Sequence, residues 1–527
     1  MYRKLNLDRD KVDRCRSIAS RITAPVQKYI DRHSTTTIER SVLRVFGVED
    51  AADGMPLVNL IVDNMPRGQL RKGIAWWFGK ALVHTKKKPA EVARDIAHGK
   101  IKFDKLPNIP RDKIIAELNK LTDEGFSRID AKKRERDNML IRIGAPPQPL
   151  KYLIVATGNI HDDCAQATSA VQSGADVIAV IRHTAQSLLD YVPDGITTEG
   201  FGGTYATQAN FKLMREALDR AGKDTRHYVR LTNYSSGMCM PEIAVMGAVE
   251  RLDILLNDSM YGILFRDINM KRTFVDQYFS RLICARAGIM INTGEDNYLT
   301  TTDAYRNAHQ VLASQFVNES FAIKANLPSD LMGLGHAFEI DPTIEDSFLY
   351  EFAQAQMIRE IFPRAPIKYM PPTKHMSGDI FFGNVLDAMF NVAGIFTEQS
   401  IQLLGIPSEA IHNPHIQDRF WSLRNANYVF NAMRHISDEL GIIPGGKIAR
   451  RAHTVLDNAH KHLTKVEATG LMKAISRGQF ADIERAEDGG KGLEGVFQKD
   501  REYINPVLDA LKKDSSPLSA RGGSASG

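Results

Sequence analysis

Ile289-Met290-Ile291-Asn292-Thr293-Gly294-Glu295-Asp296-Asn297 is an apolar run, too short for a helix face, that opens at once onto amides, glycine and acids. Apolar residues without polar alternation mark a strand covered on both faces, as in a parallel sheet. Seven other runs follow the same pattern. Leu153–Ala156 leads into Thr157-Gly158-Asn159, and Val177–Ile181 ends on Arg182. Tyr228–Leu231 opens onto Asn233-Tyr234-Ser235-Ser236-Gly237, and Ile254–Leu256 reaches Asn257-Asp258. Met332–Leu334 reaches His336, Ile367 precedes Lys368, and Val392–Phe396 is the eighth. Helical stretches separate most of these runs. The pattern predicts an α/β fold, a (β/α)8 TIM barrel, in which the C-terminal strand ends share one face and carry the chemistry.

The barrel is expected over 150–410, with added helical segments on both sides. Residues 1–145 read as an N-terminal helical accessory region. There Thr36-Thr37-Ile38-Glu39 has the spacing of a capping box with Thr36 as the cap, Ile38, Val42, Val45 and Phe46 share a face, and Gly47 is a natural stop. Gly73-Ile74-Ala75-Trp76-Trp77-Phe78-Gly79 reads as a buried helix packing on the barrel or, second, as a partner surface. Lys132–Arg136 reads as a solvated helix face, and Ala145-Pro146-Pro147-Gln148-Pro149 as a linker. Pro241 suits the first turn of a helix, and Met270–Arg286 and Asp303–Ala325 read as long amphipathic helices. Residues 411–512 are again helical, and 513–527 form a small, polar tail expected to be disordered.

Bulk properties narrow the function. The 527 residues carry 68 Lys plus Arg against 63 Asp plus Glu, a net charge of +5, which calls for neither nucleic acid nor a membrane surface. Hydrophobic content of 43% and charged content of 25% are ordinary for a globular chain. Cys15, Cys164, Cys239 and Cys284 are scattered, so no zinc or iron–sulfur spacing exists and no metal ligands are assigned. No signal peptide and no membrane-length apolar run is found, and a cytoplasmic location is expected.

Strand-end residues converge in a barrel and are read together. Arg182, Ser187, Ser235, Ser236 and Arg266 offer two guanidiniums and several hydroxyls, an inventory suited to a phosphate. Structural ion pairs are the equal alternative. Tyr261 can stack on a flat ring or pack in the core. Glu295-Asp296-Asn297 follows a buried run, so its polar groups need partners or a ligand, and Asp296 can face a substrate amine. Lys368, at another strand end, is either an anion or acid–base group or a surface lysine. His336 reads first as a satisfied core histidine. Glu199-Gly200-Phe201-Gly202-Gly203-Thr204 is neither a P-loop nor a dinucleotide fingerprint; it is a plain loop or a place of close approach for a flat cofactor.

Several segments closely resemble the alpha-subunit family of the lysine 5,6-aminomutases, adenosylcobalamin- and pyridoxal 5′-phosphate-dependent isomerases. They are Ser34–Arg40, Asp176–Arg182, Gln186–Pro193, Thr198–Thr207, Tyr261–Asn269, Asn292–Thr300, Met332–Phe338 and Lys368–Lys374. The resemblance runs from about residue 34 to 510 and leaves out the tail. It implies that Arg182, Ser187, Ser236 and Arg266 surround the phosphate of pyridoxal 5′-phosphate (PLP), that Tyr261 stacks on its ring, and that Asp296 and Lys368 handle the polar ends of substrate and cofactor. It also implies a radical shift of the terminal amine of D-lysine or L-β-lysine from C6 to C5. The Asp-x-His-x-x-Gly cobalt-ligand pattern is absent, Asp31-Arg32-His33 being followed by Ser34. The resemblance puts that histidine, and the lysine that bonds to PLP, on a separate, smaller beta subunit, with a heterotetramer as the expected assembly. An ornithine 4,5-aminomutase-like barrel is the nearest rival, and a non-catalytic barrel that scaffolds a cobalamin-binding partner is the rival of a different class.

Overall fold

The computed structural model describes residues 4–52, 54–181, 185–200, 202–233, 237–295, 304–336, 339–371 and 373–514. Its main sheet contains nine strand segments. Two of them, Met332–Gly333 and Gly335–His336, flank Leu334 in a single run, so the sheet has eight strands. The others are Leu150–Ile154, Val177–Ile181, Arg230–Asn233, Ile254–Leu256, Met290–Asn292, Lys368–Tyr369 and Ile401–Leu403. Each strand pairs with the next in parallel. The run at 332–336 turns from one neighbour to the other: Met332–Gly333 pairs with Ile291–Asn292, and Gly335–His336 pairs with Lys368–Tyr369. The last strand, Ile401–Leu403, pairs with the first at Leu150–Tyr152, which closes the barrel.

Carried around the pairings from strand start to strand start, the level of Tyr152 passes Val177 and Arg230. It returns to the first strand at position 144, eight residues upstream. Eight strands with a stagger of eight is the geometry of a TIM barrel.

The eighth strand is not where the sequence puts it. Val392–Phe396 belongs to the helix Ile380–Phe396, and the closing strand is Ile401–Leu403. A polar residue breaks that strand's apolar run. Gln402 is fully buried and donates its amide to Asn391 Oδ1 at 3.3 Å, and a Cβ at Gly394 would meet Gln402 Oε1 at 2.1 Å. A helix glycine thus makes the space that lets a glutamine serve as a core residue. The first strand also begins earlier than expected, at Leu150, with the Lys151 ammonium bound to Asn427 Oδ1 at 3.0 Å.

Both ends of the chain wrap the barrel. Helix Arg9–Arg32 packs on Ala304–Lys324 and on Lys447–Thr469, and the strand His33–Thr35 pairs antiparallel with Val496–Gln498. Four local expectations need correcting. Thr35, not Thr36, caps helix Thr36–Val45: its hydroxyl accepts from Ile38 N. Glu39 does not reach back to the cap; it accepts from Ser34 Oγ, from Tyr503 Oη and from Ile74 N, the first amide of the next long helix. The aromatic helix Ile74–Thr85 packs on Arg111–Ile143 and Thr36–Val45 rather than on the strands, with Gly79 against Ile114 and Leu118. Arg136 leaves the solvated face of its helix and donates to Ala287 O at 2.7 Å. Helix Met270–Ala287 is buried on nearly every side, where an amphipathic pattern was expected. Gly47, with φ +89°, does end its helix. Among the described residues no helix is long and apolar enough to cross a membrane.

Candidate active site at the barrel mouth

Because every strand is parallel, the residues that follow the strands gather at one mouth. Four of the predicted residues fall within the described part. Ser187 lies in the 3-10 turn Ala185–Leu188, while Tyr261 and Arg266 open and close the short helix Tyr261–Arg266, which packs on that turn. Lys368 begins the seventh strand and is 1% exposed, so it is not a surface lysine. Arg182, Ser235, Ser236 and Asp296 lie outside the described residues.

Arg266 is half-buried. Its guanidinium lies 4.5 Å from the Phe265 ring centroid, and one nitrogen donates to Tyr261 Oη at 3.2 Å. Its Nε is buried and has no hydrogen-bond partner among the described residues. A buried guanidinium N–H that is unmatched costs about 1–3 kcal/mol or more, so the position favours an incoming anion. Backbone packing draws the flanking turn in. Met238 N donates to Ser187 O at 3.1 Å, and a Cβ at Gly237 would meet Ser187 O at 2.1 Å. Only glycine allows that approach, which explains Gly237. The orphan N–H of Arg266 beside the Ser187 turn fits a phosphate-bearing cofactor such as PLP. The Tyr261 ring is buried against Gly294, where a Cβ would meet Cδ2 at 2.6 Å.

Beneath these residues lies a polar cluster that was only half legible in sequence. Asp258 Oδ1 accepts from Met260 N at 2.6 Å and Tyr261 N at 2.8 Å, and so fixes the start of the helix that carries Tyr261 and Arg266. Its Oδ2 accepts from Gly294 N at 2.9 Å and Asn318 Nδ2 at 3.0 Å. Asn318 Nδ2 also donates to Glu295 Oε1 at 2.7 Å. Asn318 Oδ1 accepts from Ser259 and, at 2.9 Å, from Arg281, whose Nε reaches Asn257 Oδ1. Burial, reinforced by the charge of Asp258, pushes the Glu295 carboxyl up to about 8. Burial pushes Arg281 down to about 10. At neutral pH Glu295 is therefore protonated, and its Oε2 has no partner among the described residues. Asn318 sits in the middle of Ala304–Lys324, far along the chain, and only its amide type hinted at a polar role.

His336 is buried, and its Nε2 lies 2.9 Å from Glu351 Oε1. Glu351 Oε2 in turn accepts from Ile340 N at 3.0 Å. Glu339, three residues past His336, pairs with Arg451 at 3.0 Å and so ties the C-terminal helix Lys447–Thr469 to the sixth strand's exit. The glycine-rich segment has a packing explanation: a Cβ at Gly158, φ +102°, would meet Gly200 O at 2.4 Å, and Thr204 binds Asp163, which also caps Thr157. A cavity of about 650 Å³ opens beside it over the strand ends, lined by Thr157, Met370, Leu403, Glu409 and His412 among others. A second cavity, about 1010 Å³, lies behind helix Arg9–Arg32 against Pro328, Met332 and Ala365, at the side where strands begin. It touches none of the candidate residues.

Comparison with known proteins agrees with this geometry. The family described as D-lysine 5,6-aminomutase TIM-barrel domain of alpha subunit matches residues 5–510. The lysine 5,6-aminomutase alpha subunit of Acetoanaerobium sticklandii is 51% identical over 510 residues, covering 96% of this chain and 98% of that one. That of Fusobacterium nucleatum subsp. nucleatum is 51% identical over 511 residues, covering 96% and 99%. The D-ornithine 4,5-aminomutase subunit beta of A. sticklandii is 27% identical over 376 residues, 68% of this chain but 50% of its own length.

Proposed function

The chain belongs to the family of lysine 5,6-aminomutase alpha subunits, and from that premise we propose that it is the PLP-binding barrel of an isomerase that moves the terminal amine of D-lysine or L-β-lysine from C6 to C5. The observation that carries the reading is the buried, unmatched Arg266 N–H beside the Ser187 turn, at the mouth of a barrel whose relatives bear that name. When bound, adenosylcobalamin supplies a carbon-centred radical and PLP a π system that carries the migrating nitrogen. The chain's part is to bind, orient and exclude water.

Arg266 and Ser187, with Arg182 and Ser236 by resemblance, hold the phosphate. Tyr261 lies against the ring. Lys368 and Asp296 orient the substrate's polar ends. Asp258 and Asn318 keep Tyr261 and Gly294-Glu295 at a fixed separation, which matters because displacements of about 1 Å in reacting atoms can cost about a hundredfold in rate. A smaller, cobalamin-binding beta subunit brings the cobalt-ligand histidine and the lysine that bonds to PLP, in a cytoplasmic heterotetramer. The absence of an Asp-x-His-x-x-Gly pattern from this sequence supports that division of labour. The ornithine-type reading is the weaker one, at 27% against 51% identity.

The test is a PLP titration of the Arg266→Ala chain with its partner subunit. A charge-assisted hydrogen bond of roughly 1.5–3 kcal/mol predicts affinity lower by about one to two decades. Unchanged affinity removes Arg266 from the phosphate site.

A further inference from the structure

Two neighbouring helices beside the mouth expose apolar side chains that a chain working alone would cover. Phe381 is 80% exposed, Tyr428 76%, Val385 54% and Trp421 48%. Their helices, Ile380–Phe396 and Ile416–Ala432, pack side by side, and Asn425 bonds to both Asn384 and Asn391 across the seam. Ile411, 56% exposed, continues the patch at the loop between them, lying against Gly378. Most of the large hydrophobics that are exposed among the described residues fall between 380 and 443. At 150–250 Å² per aromatic ring, the exposed rings alone present on the order of 500 Å². That is in the upper part of the roughly 300–600 Å² of the largest patch on a typical monomer, one that is often functional, and is more than half of the roughly 800 Å² per partner of a stable interface.

We propose that this face, with Arg424 at its centre, is where the cobalamin-binding subunit docks on the barrel, through an apolar surface carrying a carboxylate. The inference rests on the two-subunit reading above. Three observations select that occupant. The face is continuous with the mouth: the segment between the two helices supplies Glu409 and His412 to the 650 Å³ cavity over the strand ends. A partner that must deliver a reactive group there needs a seat on that rim. Charge supplies the second. Arg424 is exposed and stacked 5.2 Å over the Trp421 ring, and no carboxylate pairs with it among the described residues, which leaves an ion-pair position for a partner's Asp or Glu. The third is composition: aromatic rings with one central arginine, rimmed by polar side chains, is the make-up of an interface core. A second copy of this chain would also cover the rings. It would bring another Arg424 against the first across a two-fold axis unless offset, which disfavours it.

The experiment uses the full chain, the co-expressed cobalamin-binding subunit, and the variants Phe381→Glu, Tyr428→Glu and Arg424→Glu. The first two residues are mostly solvated, so the fold should tolerate them, and thermal melting of each variant checks this. We expect each variant to melt with the wild type while its affinity for the partner subunit, measured by titration calorimetry, falls at least tenfold. Partner affinity within twofold of wild type for all three overturns the proposal. So does light scattering that shows the wild-type chain alone to be a dimer and the variants monomers, since a second copy is then the occupant. A wild-type complex that forms normally but turns over neither lysine refutes the functional reading while the variants still decide the docking face. A wild-type chain that binds no cobalamin subunit overturns both.

Discussion

Two charge clusters in this molecule are built on opposite plans, one with carboxylates that reach solvent, Asp63 and Asp190, and one wholly buried. The first joins the N-terminal helix Thr36–Val45 to the barrel. Arg40 binds Glu242 at 2.7 Å, Asp63 at 2.9 Å and also Asp190; Arg44 binds Glu242 at 2.7 Å; Arg272 binds Asp276 at 2.6 Å and Asp190 at 2.9 Å. Every guanidinium there meets a carboxylate. Burial opposes ionisation of Asp190, yet Arg272 and Arg40 hold its carboxyl below the usual carboxylate range. The second cluster, under the mouth, sets Asp258 and Glu295 against the single Arg281 and joins them through a neutral amide, Asn318. It answers burial by retaining a proton on Glu295 rather than by matching charges. The paired cluster holds elements in place. The protonated one leaves a titratable group one residue before Asp296 in the sequence.

Substitution can break this contrast. Arg272→Met should have the largest effect, because it strands Asp276 in the interior and leaves Asp190 with Arg40 alone; loss of one partner from a buried pair costs about 3–5 kcal/mol. Urea unfolding measures it, and a loss under about 1 kcal/mol would mean the cluster is a bystander. The acid limb gives a second reading. A carboxyl whose folded pKa is depressed adds stability that is complete above its unfolded value, near 3.9, and fades as pH falls through the folded one. Arg272→Met should therefore flatten the loss of stability below about pH 4.

Asn318→Leu comes next. It removes the side-chain amide that joins Asp258 to Glu295 and one of the acceptors of Arg281, and each buried polar group left unmatched costs about 1–3 kcal/mol. If the cluster positions Tyr261, turnover of the assembled enzyme should fall by more than PLP affinity does; equal losses would point to a purely structural role.

Glu295→Gln sharpens the comparison through pH. The raised carboxyl of Glu295 contributes stability that is complete below its unfolded value of 4.5 and is lost as pH rises through about 8. Glutamine does not titrate. The variant should match wild type near pH 5 and become progressively the more stable of the two up to about pH 8. A difference that does not vary with pH would show that Glu295 is ionised throughout. The smallest effect is local. Thr35→Ala loses both a helix cap and the buried hydroxyl that donates to Asp276, about 1–3 kcal/mol, while Thr36→Ala should stay within about 0.5 kcal/mol.

The Thr35 and Thr36 pair shows where sequence reading reaches its limit. The spacing of a hydroxyl and an acid three residues on was correctly seen as a helix start. The cap moved by one residue because the side chain of Glu39 was needed elsewhere, at Ser34, Tyr503 and Ile74, and Tyr503 lies more than 460 residues away in sequence. The barrel was legible because a strand buried on both faces leaves an uninterrupted apolar run, as Val177–Ile181 does. The closing strand was not, because Gln402 interrupts its run and is satisfied only by Asn391 and by the space at Gly394. In the site, Ser187, Tyr261 and Arg266 were visible as strand-exit residues. Asn318 was not, since nothing in a mid-helix asparagine shows that it reaches two carboxylates on other strands' exits.

The antiparallel pairing of His33–Thr35 with Val496–Gln498 also has a consequence for synthesis. The segment that follows this strand enters the Arg40 cluster, yet its sheet partner is made only after the whole barrel. The barrel itself closes only when Ile401 meets Leu150. Contacts so distant along the chain make folding slow and leave partly built sheets open to aggregation. The nascent N-terminal helices must therefore wait, with their apolar faces unclaimed, until the barrel and Val496–Gln498 have been made. This is a stage at which chaperones would find a long-lived client.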